Sequence, residues 1–249
     1  MLILLPPSET KRPGGRGRAL DLDALAFAEL RPQREAVASA LVDLSRDEEA
    51  AARVLKLSAR QRNEIAANAA ILSAATMPAA DRYTGVLYDA LDAQSLDASA
   101  RRWLGGHVLI QSALFGPVSA LDRIPAYRLS AGTALPGLAP LRRVWADAVE
   151  SALSATTERF VLDLRSEAYA ALGPVPASVR TTYLRVVTEI DGGAARALNH
   201  FNKHSKGALA RALAAERPRI SRPEGLIRWA ASAGWRLRAG AVGETELIV

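Results

Sequence analysis

Cysteine is absent from the 249 residues, which excludes disulfides, thiolate metal sites and thiol-based peroxide chemistry within this chain. Long apolar runs are missing as well: no stretch reaches the roughly 18 consecutive apolar residues that cross a bilayer. The apolar opening Leu2-Ile3-Leu4-Leu5 is too short for a signal peptide. It is followed, not preceded, by positive charge, the reverse of secretory order. A cytoplasmic protein with no membrane partner is the expectation. No Gly-Lys-Ser/Thr stands at Walker spacing and no GxGxxG occurs, so neither nucleotide fingerprint is present. Repeats, low-complexity tracts and linkers are lacking too, so residues 1–249 read as a single domain.

What is present is a chain that is 49% hydrophobic, long enough to bury one large core, and a net charge of +6 that favours polyanionic partners. The distribution of charge says more than the total. Between His200 and Arg222 stand Lys203, Lys206, Arg211, Arg217, Arg219 and Arg222, opposed only by Glu216. Lys11, Arg12, Arg16 and Arg18 form a second basic cluster without an acid, while Asp43, Asp47, Glu48 and Glu49 gather elsewhere.

Leu2 to Leu5 reads as a short buried strand ended by Pro6-Pro7, since proline cannot donate to a ladder. Residues 19 to 75 read as mainly helical, with Val37, Leu41 and Leu44 at helical spacing. Ser45 with Glu48, and Ser58 with Gln61, fit capping boxes that start the next two helices. Asp81 to Gly85 reads as a turn or loop, and Val86 to Leu91 suits strand or helix equally. Asp97 caps a helix closed by Gly105-Gly106, and His107 to Ala113 is a strand. Leu141 to Leu153 is an amphipathic helix with Trp145 on its apolar stripe, which makes Trp145 a core residue. Arg159 to Leu164 and Val179 to Ile190 are strands. Helices follow near Ser205 to Glu216 and Glu224 to Ala233, and a closing hairpin spans Trp235 to Val249. Strands and helices mix without regular alternation, which predicts one compact α+β domain, a mixed sheet with flanking helices, over a doubly wound sheet.

Four segments carry candidate chemistry. Ser8 to Lys11, ahead of the Gly-rich loop at Pro13 to Gly17, can present backbone N–H groups and a lysine to a phosphate. Ser8-x-x-Lys11 also matches a serine–lysine pair, though the Ser-Asp-Asn partner is missing. Asp163, Ser166 and Tyr169 follow a buried strand, facing the crevice where such sheets bind ligands; an ordinary N-cap explains Ser166 equally well. Lys203, Lys206 and Arg211 fall on a broad helix face suited to phosphates, and equally to a solvated basic surface. His200 and His204 stand one turn apart as metal ligands would, but a third ligand and a supporting carboxylate are not evident, so no metal and no cofactor is expected. The fourth segment, Gln111 to Ser119 with Ser112 and Gly116 in it, leads into a small-residue hairpin able to approach a nucleic-acid backbone, with Tyr127 and Arg128 as aromatic and cationic neighbours.

In order along the chain, Leu2 to Lys11, Tyr83 to Tyr88, Ser112 to Gly116, Leu121 to Leu129, Trp145, Asp163 to Tyr169 and Lys203 to Arg211 resemble the YaaA family of bacterial peroxide-stress proteins. The resemblance spans nearly the whole chain. It implies a compact α+β fold with a positively charged cleft, a DNA-binding helix–hairpin–helix element, and protection against peroxide linked to lower free iron. Leu114 to Ser119 is the candidate hairpin. The opening Pro-Pro-Ser-Glu-Thr-Lys departs from the family's Ser-Pro-Ala-Lys-Thr and shifts the lysine, and residues 19 to 75 match poorly, which leaves room for a specialised biosynthetic role. The leading expectation is a monomeric protein of the peroxide stress response that binds DNA or another phosphate ligand. Lys11, Lys203, Lys206 and Arg211 would meet phosphates; Tyr83, Ser112, Gly116, Tyr127, Arg128 and Ser166 would shape the site. The rival is an enzyme acting on a nucleotide-like small molecule, with Ser8, Lys11, Asp163, Ser166 and Tyr169 as catalytic candidates and Lys11 or Lys206 as base or nucleophile. A pocket enclosing these side chains favours the rival; a shallow groove favours DNA.

Overall fold

The computed structural model describes residues 1–156, 159–190, 194–196 and 199–249, without the side chains of 189–190, 194–196 and 199–200. β1 (Leu2–Leu5) opens the chain, and a helical block follows: α1 (Arg31–Leu44), α2 (Glu48–Val54) and α3 (Asn63–Ala69). The short β2 (Met77–Pro78), α4 (Ala79–Arg82) and α5 (Val86–Leu91) lead to α6 (Ala98–His107), β3 (Val108–Ser112), β4 (Gly116–Ser119) and β5 (Arg123–Ile124). Next come α7 (Leu141–Ser154), β6 (Val161–Asp163), α8 (Glu167–Ala170), β7 (Thr181–Ile190) and β8 (Ala194–Arg196). α9 (Asn199–Glu216), α10 (Pro223–Ser232), β9 (Leu237–Ala239) and β10 (Glu244–Ile248) complete the chain.

These elements form one α+β domain around a mixed sheet in the order β4-β3-β1-β6-β7-β10-β9, with β8 paired to β7. β3, β1, β6, β7 and β10 run parallel, and β4, β8 and β9 pair antiparallel at the margins. A parallel strand covered on both faces needs an unbroken apolar run, and Leu2-Ile3-Leu4-Leu5 is buried at every position. β1 therefore lies inside the sheet, and the chain leaves it towards β3 on one side and later returns to β6 on the other. Such reversals open a crevice at the carboxyl ends of the strands.

Several boundaries differ from the sequence expectation for local reasons. Ser45 does not start a helix; its hydroxyl donates to Leu41 O at 2.7 Å and closes α1, while Asp47 caps α2 by accepting from Ala50 N at 3.0 Å. Gln61 does accept from Ser58 N at 3.1 Å, opening a 3-10 turn ahead of α3. Asp81 and Arg82 belong to a helical turn, α4, and the undecided Val86 to Leu91 is helix. Gly105 and Gly106 lie inside α6 rather than closing it. A Cβ on Gly105 would sit 2.7 Å from the Leu121 side chain, so the glycine serves close packing.

The candidate hairpin at Leu114 to Ser119 comprises the end of the tight turn 113–115 and the strand β4, which pairs antiparallel with β3; no helix flanks the turn as a helix–hairpin–helix element requires. Ala113, Leu114 and Phe115 are fully buried. Ser112 Oγ accepts from Leu114 N and Phe115 N, each at 3.0 Å, which satisfies the turn internally. Gly116 takes φ 64° against the Trp145 ring, where a Cβ would come within 2.7 Å. Trp145 is core as expected, donating its indole N–H to Ala113 O at 2.9 Å.

Candidate functional site

The crevice at the carboxyl edge of the parallel strands is a cleft of about 800 Å³. Its walls come from Pro6 to Thr10 after β1, Thr84 to Tyr88 at the start of α5, Leu164 and Ser166 to Tyr169 after β6, Tyr183 to Val187 on β7, and Asn202, Lys203 and Lys206 on α9. Close contact between α5 and α9 sets this geometry. Gly207 lies so near α5 that a Cβ would fall 2.0 Å from Leu87 O, so the glycine lets the two lysines of α9 reach the cleft.

Lys206 is buried, at 5% exposure. Its ammonium donates to Arg165 O at 3.5 Å and lies 5.5 Å from the centre of the Tyr183 ring. Burial pushes its pKa down to about 8; Asp163 pulls it up, and Arg185 adds to the fall. Asp163 is not among the residues that line the cleft. Arg165 grips it through Nε at 2.9 Å and Nη2 at 2.7 Å, both residues being buried, and the same guanidinium donates to Gly173 O at 2.7 Å. The carbonyl of Arg165 in turn accepts from Tyr183 Oη at 2.8 Å. The pair thus holds the backbone that positions both Tyr183 and Lys206.

Lys203 is exposed at the mouth of the cleft, and no ion pair engages it among the described residues. Arg185 on β7 is neutralised by Glu244 at 2.8 Å and Glu167 at 3.5 Å. Ser166 precedes α8, but its hydroxyl makes no capping hydrogen bond and lines the cleft. Ser8 Oγ lies 3.2 Å from Thr10 Oγ1, which lies 3.1 Å from Thr84 Oγ1, a row of hydroxyls along one wall. Tyr169 Oη reaches Glu9 at 3.5 Å, and Tyr88 Oη donates to Pro6 O at 2.7 Å.

The basic stretches converge only in part. The backbone before Lys11 lines the cleft, but the Lys11 ammonium turns away to lie 4.1 Å over the Tyr127 ring and 5.3 Å from that of Tyr83. It donates to the carbonyl of Ser8 at 2.9 Å, not to its hydroxyl, so the serine–lysine pair is not formed. Burial pushes Lys11 down to about 7, against the attraction of Glu9. Tyr83 and Tyr127 are buried beneath it, linked hydroxyl to hydroxyl at 2.8 Å and on to Ser112 Oγ at 2.8 Å; burial raises both phenols. Arg128 lies between Glu9, at 3.6 Å, and Glu64, at 3.4 Å. Arg211 leaves the cleft to bind Leu91 O at 3.0 Å and Asp92 O at 2.8 Å, satisfying carbonyls at the end of α5.

Net charge therefore overstates the basic surface. Arg34 and Arg82 are fully buried and, among the described residues, bond only main-chain carbonyls, including Phe115 O at 2.9 Å and Ala75 O at 3.0 Å. Burial pushes both down to about 10. The His200 side chain lies outside the described residues; His204 is exposed, and no group of metal-ligating side chains occurs among those described.

Sequence reasoning missed Tyr183 and Arg185, although their alternation along Thr181 to Ile190 was a strand-face signal. It also missed Arg165, whose partner two residues away is recognisable only once the strand end bends back. Asn202, Thr84 and Tyr88 carried no separate signal.

A family model described as "Peroxide stress protein YaaA" matches residues 1–240. The UPF0246 protein of Streptomyces coelicolor is 43% identical over 245 residues, covering 97% of this chain and 93% of that protein. That of Corynebacterium efficiens is 48% identical over 218 residues, covering 86% and 85%. A UPF0246 protein of Corynebacterium glutamicum is 42% identical over 238 residues, covering 94% and 93%.

Proposed function

The chain belongs to the peroxide stress protein YaaA family, and we propose that it serves the peroxide stress response by holding a small phosphate-bearing molecule in this cleft. The observation that carries the reading is Lys206. A buried ammonium is costly unless an anion meets it, and no carboxylate forms an ion pair with it among the described residues. A ligand phosphate supplies the missing charge. Lys203, one turn earlier, provides a second cation, and Ser8, Thr10, Thr84 and Ser166 provide hydroxyl donors. Pro6, Pro7, Leu87, Tyr88 and Tyr169 add an apolar and aromatic wall suited to a planar group such as a nucleobase. The volume falls within the range of small-molecule sites, roughly 300–1,000 Å³. DNA is the weaker ligand on this reading, because Lys11, Arg128 and Arg211 are engaged within the protein instead of forming a phosphate track.

The test is thermal shift and equilibrium binding with AMP, inorganic phosphate and a short DNA duplex. AMP should raise the Tm of the natural chain, and Lys203→Ala or Lys206→Met should abolish the rise. Stabilisation by duplex alone, with affinity falling steeply with salt as about 0.9 log units per log salt for each phosphate contact, would overturn this reading in favour of DNA.

A further inference from the structure

Lys206 occupies surroundings that turn a lysine into a nucleophile. It enters the cleft from α9, with the Tyr183 ring 5.5 Å away and, among the described residues, a single long hydrogen bond, to Arg165 O at 3.5 Å. The acid closest in effect, Asp163, is held by Arg165 through two side-chain bonds. Arg185 on β7, although paired with Glu244 and Glu167, still disfavours the Lys206 charge, and Lys203 stands one turn away on the same helix. A lysine desolvated beside another cation is the arrangement that frees an amine lone pair near neutral pH. Burial pushes its pKa down to about 8, which brings loss of the proton much closer to neutral pH than for an ordinary lysine near 10.4.

We propose that the unprotonated fraction of Lys206 forms an imine with the carbonyl carbon of a small phosphorylated aldehyde or ketone, whose phosphate is met by Lys203 and supplies the counter-charge whenever the Lys206 nitrogen is protonated. This rests on the phosphate-cleft reading and names the substrate class for that site. The Nζ lone pair attacks the carbonyl carbon; the C–N bond forms as the carbonyl π bond breaks, and the oxygen takes up a proton while nitrogen loses one. The resulting carbinolamine expels its hydroxyl as water as nitrogen forms the C=N bond and releases its second proton. One carbonyl and one amine give one imine and one water, with no oxidant or reductant. Ser166, next in sequence to the carbonyl that holds Lys206 and without a hydrogen bond on its hydroxyl among the described residues, is the group available to relay these protons. Lys11, also pushed down in pKa, is an internal contrast. Its ammonium is enclosed by two tyrosine rings and two carbonyls and does not line the cleft.

The chain contains only four lysines, Lys11, Lys56, Lys203 and Lys206, so site mapping is direct. The full chain is incubated with pyridoxal 5′-phosphate at pH 7.5, reduced with borohydride, and analysed by intact mass and peptide mapping. One equivalent on Lys206 is expected, with inorganic phosphate slowing the labelling and pyridoxal, which lacks the phosphate, labelling at least tenfold more slowly. Lys206→Arg, which keeps the charge, should lose that label while retaining stabilisation by inorganic phosphate. Thermal stabilisation by pyridoxal 5′-phosphate without a reducible bond at Lys206 overturns the imine and leaves the phosphate cleft standing. Label shared with Lys56 or placed first on Lys203 or Lys11 also overturns it. Neither stabilisation nor label would sink both readings.

Discussion

Replacing Asp163 by alanine removes one half of a buried ion pair and leaves the Arg165 guanidinium, 1% exposed, without its counter-charge. Arg165 loses the bonds at 2.9 and 2.7 Å to the carboxylate and a third from its own N–H at 3.0 Å. It keeps only Gly173 O at 2.7 Å and a weak contact to Gln111 at 3.4 Å. Breaking a buried pair on one side costs about 3–5 kcal/mol. In a chain of this length each kcal/mol moves the Tm by about 2–4 °C, so Asp163→Ala should melt roughly 6–20 °C below the natural protein. Replacing both partners, with Asp163→Leu and Arg165→Met, should recover most of that loss, because no buried charge is then left unpaired. Recovery stays incomplete because Gly173 O loses its donor. Urea and thermal denaturation followed by tryptophan fluorescence read both effects. Phosphate affinity should fall in each variant, since the same backbone positions Lys206 and Tyr183. If Asp163→Ala stays within about 1 kcal/mol of the natural protein yet loses ligand binding, Asp163 acts directly in the cleft and the structural assignment is wrong.

Gly207→Ala forces a Cβ against Leu87 O and should separate α5 from α9, with a loss of about 1–3 kcal/mol or more and weaker phosphate binding, seen in the same melts and titrations. The unfolded chain holds the Lys206 proton up to about 10.5 and the folded chain only to about 8; stability should therefore rise with pH between those values. Lys206→Met should remove the Lys206 share of that rise and leave the share of Lys11, which burial pushes down to about 7, as measured by urea midpoints from pH 7 to 10.5. Trp145→Phe leaves the buried Ala113 O without its indole donor and should cost about 1–3 kcal/mol without changing phosphate affinity, by calorimetry and titration.

Much of the scaffold was legible along the chain. The unbroken apolar run Leu2 to Leu5 could only be an inner strand, and the stripe through Leu141, Trp145, Val149 and Leu153 could only face a core, because local periodicity dictates which side chains leave water. The closing hairpin followed from Gly240 and Gly243 between two short strands, and the family from ordered motifs. Boundaries failed where one residue served a distant partner: Gly105 packs on Leu121, and Ser45 ends a helix because Asp47 is better placed to begin the next.

The site was legible in outline only. Residue type and position marked Ser8, Ser166, Tyr169, Lys203 and Lys206, all of which line one cleft, because the carboxyl ends of parallel strands and the face of a helix can be read from pattern. Which cation faces the cleft was beyond the sequence. Lys11 and Lys206 look alike as letters, yet one is enclosed by Tyr83 and Tyr127 and the other lines the cleft. Arg34, Arg82 and Arg211 are as basic in sequence as any phosphate binder, yet carbonyls far along the chain claim them. The sequence by itself determined the charge present and the strands that would carry it. Tertiary structure alone decided which charges remain available, since that depends on carbonyls and carboxylates brought close from dozens of residues away.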